Sequence, residues 1–266
     1  MTPRPAFGLV PDVSWFFLAA SCGIPVSCRS YAPSAGRQDA QYEERNFVAG
    51  VHRIDPAAVE ESAPQRVWYT SYGSNTHLDR LACYIKGGQP LGASRVYPGC
   101  RDRALPSRSV PVELKGALYF ATESAVWAGG RAFYDPECEG RLYARAHLVS
   151  ASQFADIAAQ EMYRAPGADL DLSEVLASGV ARLGSGRYET LVCAGQMDGL
   201  PVLTFTAPWS ADEVALAPPS SAYVRYLASG LFQAGAWDAA TIAAYLAASR
   251  GAAGTWTQHA IRDLIE

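Results

Sequence analysis

The run Arg66-Val67-Trp68-Tyr69-Thr70-Ser71-Tyr72-Gly73-Ser74-Asn75 decides how this chain is read. Val67, Tyr69 and Ser71 alternate with Trp68, Thr70 and Tyr72, a β-branched and aromatic stretch that predicts a buried strand. It ends in a turn tripeptide, Gly73-Ser74-Asn75. Leu78, Leu81, Ala82 and Ile85 then fall at i, i+3, i+4 and i+7, one stripe of an amphipathic helix. Gly87-Gly88 ends that helix, as glycine does past a helix C-terminus. A strand stopping in a small-residue turn at a helix start leaves backbone N–H groups unpaired. Such a turn can hold a carboxylate, a phosphate or a developing oxyanion, and the same pattern also fits an ordinary strand–turn–helix joint.

Downstream, Ser150-x-x-Gln153 has the form of a capping box and starts a second helix at Ser150. Phe154, Ile157 and Ala158 define its inward stripe, and the next position on that stripe is Glu161. A carboxylate where a hydrophobe is expected should have its pKa raised by desolvation, which suits a general acid or base. If the helix instead frays at Gln160, Glu161 turns to water and Met162 continues the apolar face.

Together these segments resemble the γ-glutamylcyclotransferase-like superfamily. The resemblance rests on Tyr72-Gly73-Ser74-Asn75 after a hydrophobic strand and on the later Glu161. Four further places agree. Gly129-Gly130-x-Ala132 matches that family's strand opening, and the spacing from there to Gln160-Glu161 fits without a gap. Gly186-x-Tyr188 matches a tyrosine beginning the next strand. Pro219-Ser220-x-x-Tyr223, followed by Gly230, matches the start of its C-terminal helix. The match covers roughly residues 66–235.

The resemblance implies an α+β fold, a small curved mixed sheet or barrel packed with helices. It also implies an intramolecular reaction in which the α-amine of a γ-glutamyl group attacks its own γ-carbonyl, releasing 5-oxoproline and an amine. Carried over by position, Glu161 is the acid/base residue, and Tyr72, Gly73, Ser74 and Asn75 hold the glutamyl group and its oxyanion. Tyr188 and Tyr223 line the pocket. The partner is a small γ-glutamyl substrate, and the chemistry requires neither cofactor nor metal. Two departures stand out. Thr76 occupies a position where the family usually has leucine or methionine, and Met162 one where glycine often follows the glutamate. A longer insert, residues 163–186, sits where a pocket-covering loop would sit. The leaving amine is therefore open. A non-catalytic binder of acidic small molecules on the same fold is the alternative, disfavoured by the cost of keeping Glu161 buried.

Composition agrees with an enzyme of this kind. The chain has 266 residues, 49% of them hydrophobic and 18% charged, which allows a sizeable core. A net charge of −4 argues against a nucleic-acid surface. Cysteines 22, 28, 83, 100, 138 and 193 show no C-x-x-C or metal spacing, so reduced thiols and a cytoplasmic location are expected. Histidines 52, 77, 147 and 259 form no H-x-x-x-H group, which disfavours a zinc hydrolase or deacetylase. Arg101, Arg103 and Arg108 fall in a loop over residues 98–111 and could steer an anion, or simply face solvent.

Residues 1–65 are broken by prolines and hold no lasting period. The apolar stretch Val13–Ile24 is too short to span a bilayer, and Leu18-Ala19-Ala20-Ser21-Cys22 faintly resembles a lipoprotein cleavage site. A disordered extension, or a start codon upstream of the true one, is expected there, with the ordered domain running over residues 66–266.

Overall fold

A computed structural model describes residues 50–57, 64–90, 95–124 and 126–265. The expectations for the proline-broken N-terminus, its signal-like segment and Cys22 and Cys28 lie outside these residues. Order nevertheless reaches back beyond Arg66. A strand β1, His52–Ile54, pairs parallel with β3, Ser109–Lys115, through His52 opposite Val112.

The opening run forms β2, Arg66–Ser71, whose residues from Val67 onward are all buried. Its two faces feed two cores. Trp68 and Tyr72 pack with the C-terminal helices, while Val67 and Tyr69 pack with the helix that carries Glu161. This double burial is why the segment reads as continuously apolar. A 3₁₀ turn, Ser74–Thr76, follows, then α1, Leu78–Lys86, which stops at Gly87 with φ +82°.

The main sheet has seven strands in the order β1-β3-β6-β2-β9-β8-β7 and is mixed. Its members after β3 are β6 (Arg141–Ser150), β7 (Val180–Arg182), β8 (Thr190–Met197) and β9 (Leu200–Thr206). The strands β4 (Ala117–Ser124) and β5 (Gly129–Asp135) form a separate hairpin. Thr206 Oγ1 ties β5 to β9, accepting from Tyr134 N at 3.1 Å and donating to Tyr134 O at 2.6 Å. The sheet curls into an open half-barrel. Gly195, at the β8 bulge and with φ +139°, passes so close to the end of β1 that a Cβ there would overlap the Asp55 carbonyl. Among the described residues six α-helices complete the α+β fold.

Glu161 ends α2, Ala151–Glu161, and Ser150 and Gln153 form the expected capping box with both bonds at 3.1 Å. The β8–β9 hairpin turns through Asp198 and Gly199 at φ +53° and +73°, the left-handed pair a two-residue hairpin needs. At the C-terminus come α4 (Ser221–Gln233), α5 (Ala239–Ala248) and α6 (Gln258–Ile265), the first two capped by Ser220 and Asp238. The aromatics there are packing groups. Tyr143 is stacked between Trp237 and Tyr245 at 4.6 and 4.3 Å.

Two expectations are corrected. The 163–186 insert is no cover for a pocket: it folds as α3, Ser173–Ser178, and edge strand β7, with Val175, Leu176 and Ala181 buried in a core. Of the insert only Tyr163 reaches the cleft described below. The arginines of the 98–111 loop, read as anion-steering or solvent-facing, are instead engaged in local bonds. Arg101 binds buried Asp156 at 3.0 Å and Asp169 at 2.6 Å, Arg103 caps the Lys86 carbonyl, and Arg108 pairs with Asp198. No helix among the described residues is long and apolar enough to cross a membrane.

Candidate active site

The turn after β2 closes on itself. Thr76 N and His77 N donate to the carbonyls of Gly73 and Ser74 at 3.1 and 3.2 Å. Among the described residues the N–H groups of Gly73, Ser74 and Asn75 have no acceptor, so three adjacent donors are available at one spot. Thr76, the departure from the family pattern, is fully buried and adds a side-chain bond to the Gly73 carbonyl at 2.9 Å. The turn is braced from behind. Arg145 donates to the Thr76 carbonyl at 3.4 Å, and Gly230 of α4 lies so close that any side chain there would overlap Thr76 Oγ1.

Facing the turn is Glu161. Asn75 Nδ2 donates to its Oε1 at 3.0 Å and to the Tyr69 hydroxyl at 3.3 Å. The carboxyl therefore turns inward rather than to water, although the residue as a whole is only half-buried. Burial pushes its pKa above the ordinary carboxylate value. The Tyr84 hydrogen bond, the charges of Arg80 and Arg95 and the Asn75 amide oppose that rise without cancelling it. A carboxyl whose proton affinity is raised in this way suits general acid/base work.

The wall opposite is built on one peptide unit. Tyr223 Oη accepts from Ala132 N at 3.3 Å, and Tyr188 Oη donates to Ala132 O at 3.0 Å. Tyr188 adopts φ +63°, a strained position for a bulky residue. The paired glycines ahead of Ala132 bring β5 against the chain entering α4. Gly130 N donates to Pro218 O at 2.8 Å, and a Cβ on Gly130 would lie 2.8 Å from the Ala217 carbonyl carbon. Burial raises the pKa of Tyr69, Tyr84, Tyr188 and Tyr223, so all four serve as neutral phenols.

Tyr72, Gly73, Ser74, Asn75, Glu161, Tyr188 and Tyr223 all line a single cleft with about 60 Å³ open to the centres of water-sized molecules. Tyr72 takes part through its ring, because its hydroxyl is committed to the Phe205 carbonyl at 2.8 Å. Sequence reading missed Arg80, Tyr84, Tyr97, Trp127 and Arg131, which also line it. Arg80 and Tyr84 stand four apart on the flank of the α1 stripe, so their spacing was the available signal. His147 is fully buried behind the site, with Nδ1 2.8 Å from Ser109 Oγ. Burial and the charge of Arg145 depress its pKa and keep it neutral. His77 lies outside this cleft, edge-on to Tyr226 at 5.5 Å.

The described α+β topology and this half-barrel cleft define the structural class of the chain. No family model matches it. Histone deacetylase 5 of Arabidopsis thaliana is 31% identical over 273 residues, which takes in 90% of this chain and 41% of that protein, so the chain spans less than half the relative's length. Among solved structures, a gamma-glutamyl cyclotransferase aligns with a TM-score of 0.43 and 14% identity, over 75% of this chain and 98% of that one. An uncharacterized protein from Homo sapiens aligns with a TM-score of 0.43 and 17% identity, over 76% and 99% respectively.

Proposed function

We propose that this chain is a γ-glutamylcyclotransferase-like enzyme that converts a γ-glutamyl amine, amino acid or peptide into 5-oxoproline and the free amine. The nucleophile belongs to the substrate. Its α-nitrogen attacks the γ-carbonyl carbon, a five-membered ring closes, and the bond from that carbon to the leaving nitrogen breaks. Glu161 takes the proton from the α-ammonium and returns one to the departing amine. The N–H groups of Gly73, Ser74 and Asn75 receive the oxyanion. Ring closure gains from enforced proximity, so no serine or cysteine need be activated.

The observation that carries this reading is the 3.0 Å bond holding a desolvated Glu161 carboxyl beside three unpaired amides. A static binder of acidic molecules has no use for a desolvated carboxyl that is costly to keep in the same cleft. The plant relative's name brings deacetylation no nearer. Among the described residues no three His, Cys, Asp or Glu side chains gather in a way that could hold a metal ion, so the donor set does not suit a zinc deacetylase. We propose that the segment shared with that longer protein serves another purpose.

The test is incubation with a panel of γ-glutamyl amines, amino acids and peptides, with 5-oxoproline quantified. Release from at least one of them is expected. A panel-wide absence of product, with 5-oxoproline itself still binding, would leave the binder reading in its place.

A further inference from the structure

Arg80 is 2% exposed, and its guanidinium carbon stands 4.5 Å from the Tyr97 ring centre, 5.1 Å from that of Tyr84 and 5.5 Å from that of Trp127. All three rings belong to the cleft wall. Arg80 Nε donates to Ser74 Oγ at 3.4 Å and Nη2 donates to the Tyr97 hydroxyl. Nη1 is buried and has no acceptor among the described residues. A guanidinium cannot shed its charge to relieve this, and ring faces offset only part of the desolvation of a buried cation. The other cleft arginines are engaged: Arg95 Nη2 donates to the Gln160 carbonyl at 3.0 Å, and Arg131 Nη1 to Thr122 Oγ1 at 3.1 Å.

We infer that Arg80 recognises the α-carboxylate of the substrate's acyl group and makes the cleft selective for it. This rests on the cyclotransferase reading. With the α-amine beside Glu161 and the γ-carbonyl on the turn amides, the α-carboxylate is the remaining pole of a glutamyl group. A carboxylate supplies the acceptor that Nη1 lacks, in a charge-assisted bond. Arg80 is thus a specificity-determining residue, and acyl groups that could cyclise equally well but lack that carboxylate are rejected.

The experiment compares γ-glutamyl p-nitroanilide with 4-aminobutyryl p-nitroanilide, which has the same amine and leaving group and no carboxylate. Wild type should favour the first in kcat/KM by about 10- to 150-fold, the range for one hydrogen bond to a charged group. In Arg80→Met the ratio should collapse toward one, chiefly through KM, and Arg80→Lys should fall between. An unchanged ratio in Arg80→Met overturns the inference. A second measurement needs neither turnover nor a variant. Wild type should gain thermal stability with 5-oxoproline and not with 2-pyrrolidinone, its carboxylate-free counterpart. Equal protection by both overturns the role of Arg80 even if Arg80→Met fails to fold. If neither anilide turns over while the preference for 5-oxoproline holds, the cyclotransferase reading fails and carboxylate recognition stands.

Discussion

Replacing Glu161 with glutamine should separate turnover from stability, moving them in opposite directions. Glutamine keeps the length of the side chain, and its Oε1 can still accept from Asn75 Nδ2, now 3.0 Å away. On the proposed reaction, what is lost is the proton carrier. A positioned acid/base group is worth about 100- to 10,000-fold, so kcat should drop within that range while KM changes little. Stability responds through linkage. Burial raises the folded-state pKa of Glu161 above its ordinary value of 4.5, so the folded protein binds that proton more tightly than the unfolded chain. The contribution is favourable and complete below pH 4.5, and it is lost as pH rises through the raised folded value. Every tenfold difference in proton affinity corresponds to about 1.4 kcal/mol. At pH 7 the wild type carries this cost and Glu161→Gln does not. The variant should therefore unfold at an equal or higher denaturant concentration at pH 7, with that advantage gone at pH 4. Wild-type activity should rise with pH through the same raised pKa. The assays are 5-oxoproline release across pH and denaturant titration at the two pH values. Wild-type turnover in Glu161→Gln, or a clear loss of its stability at pH 7, refutes the reasoning.

Gly230→Ala drives a methyl group into Thr76 Oγ1 and to 2.5 Å from His77 N; it should cost about 1–3 kcal/mol, read by denaturant titration, and lower turnover by displacing the turn. Asp156→Ala removes the acceptor of Arg101 N at 2.8 Å and Gly167 N at 3.0 Å together with the Arg101 guanidinium. A loss of about 2 kcal/mol or more is expected, with KM for a surviving fraction unchanged. Tyr72→Phe deletes the bond to the Phe205 carbonyl and the hydroxyl's interaction with Thr206; stability should fall by about 1 kcal/mol, and because that hydroxyl is not offered to the ligand, kcat/KM should hold.

What could be read without coordinates were the segments where local chemistry and burial agree. The alternation through Val67–Tyr72 and the Ser150–Gln153 capping box each declare their own geometry, and each formed as expected. Strand β3 escaped because Pro111 sits within it. Pairing with β1 begins only at Val112, so the missing N–H of the proline falls where no ladder partner needs it. The three-residue strands β1 and β7 are too short to show a period, and only long-range pairing gives them form. The site was half legible. The turn and Glu161 carry a pattern, whereas Arg80, Tyr97 and Trp127 are brought together by tertiary packing alone. On a helix flank, an arginine reads as a solvated charge until its rings arrive from elsewhere.

The peptide unit of Ala132 has a consequence for how this cleft could diversify. Its N–H and its carbonyl are each gripped by a different tyrosine, one from α4 and one from the approach to β8. Widening the floor would mean altering three distant stretches of chain at once, which stepwise change does not readily supply. At the rim, half-exposed Arg95 is held by one bond to the Gln160 carbonyl and lies over the ring of exposed Tyr163. Relatives with new leaving groups should therefore differ around that mouth and keep the floor as it is.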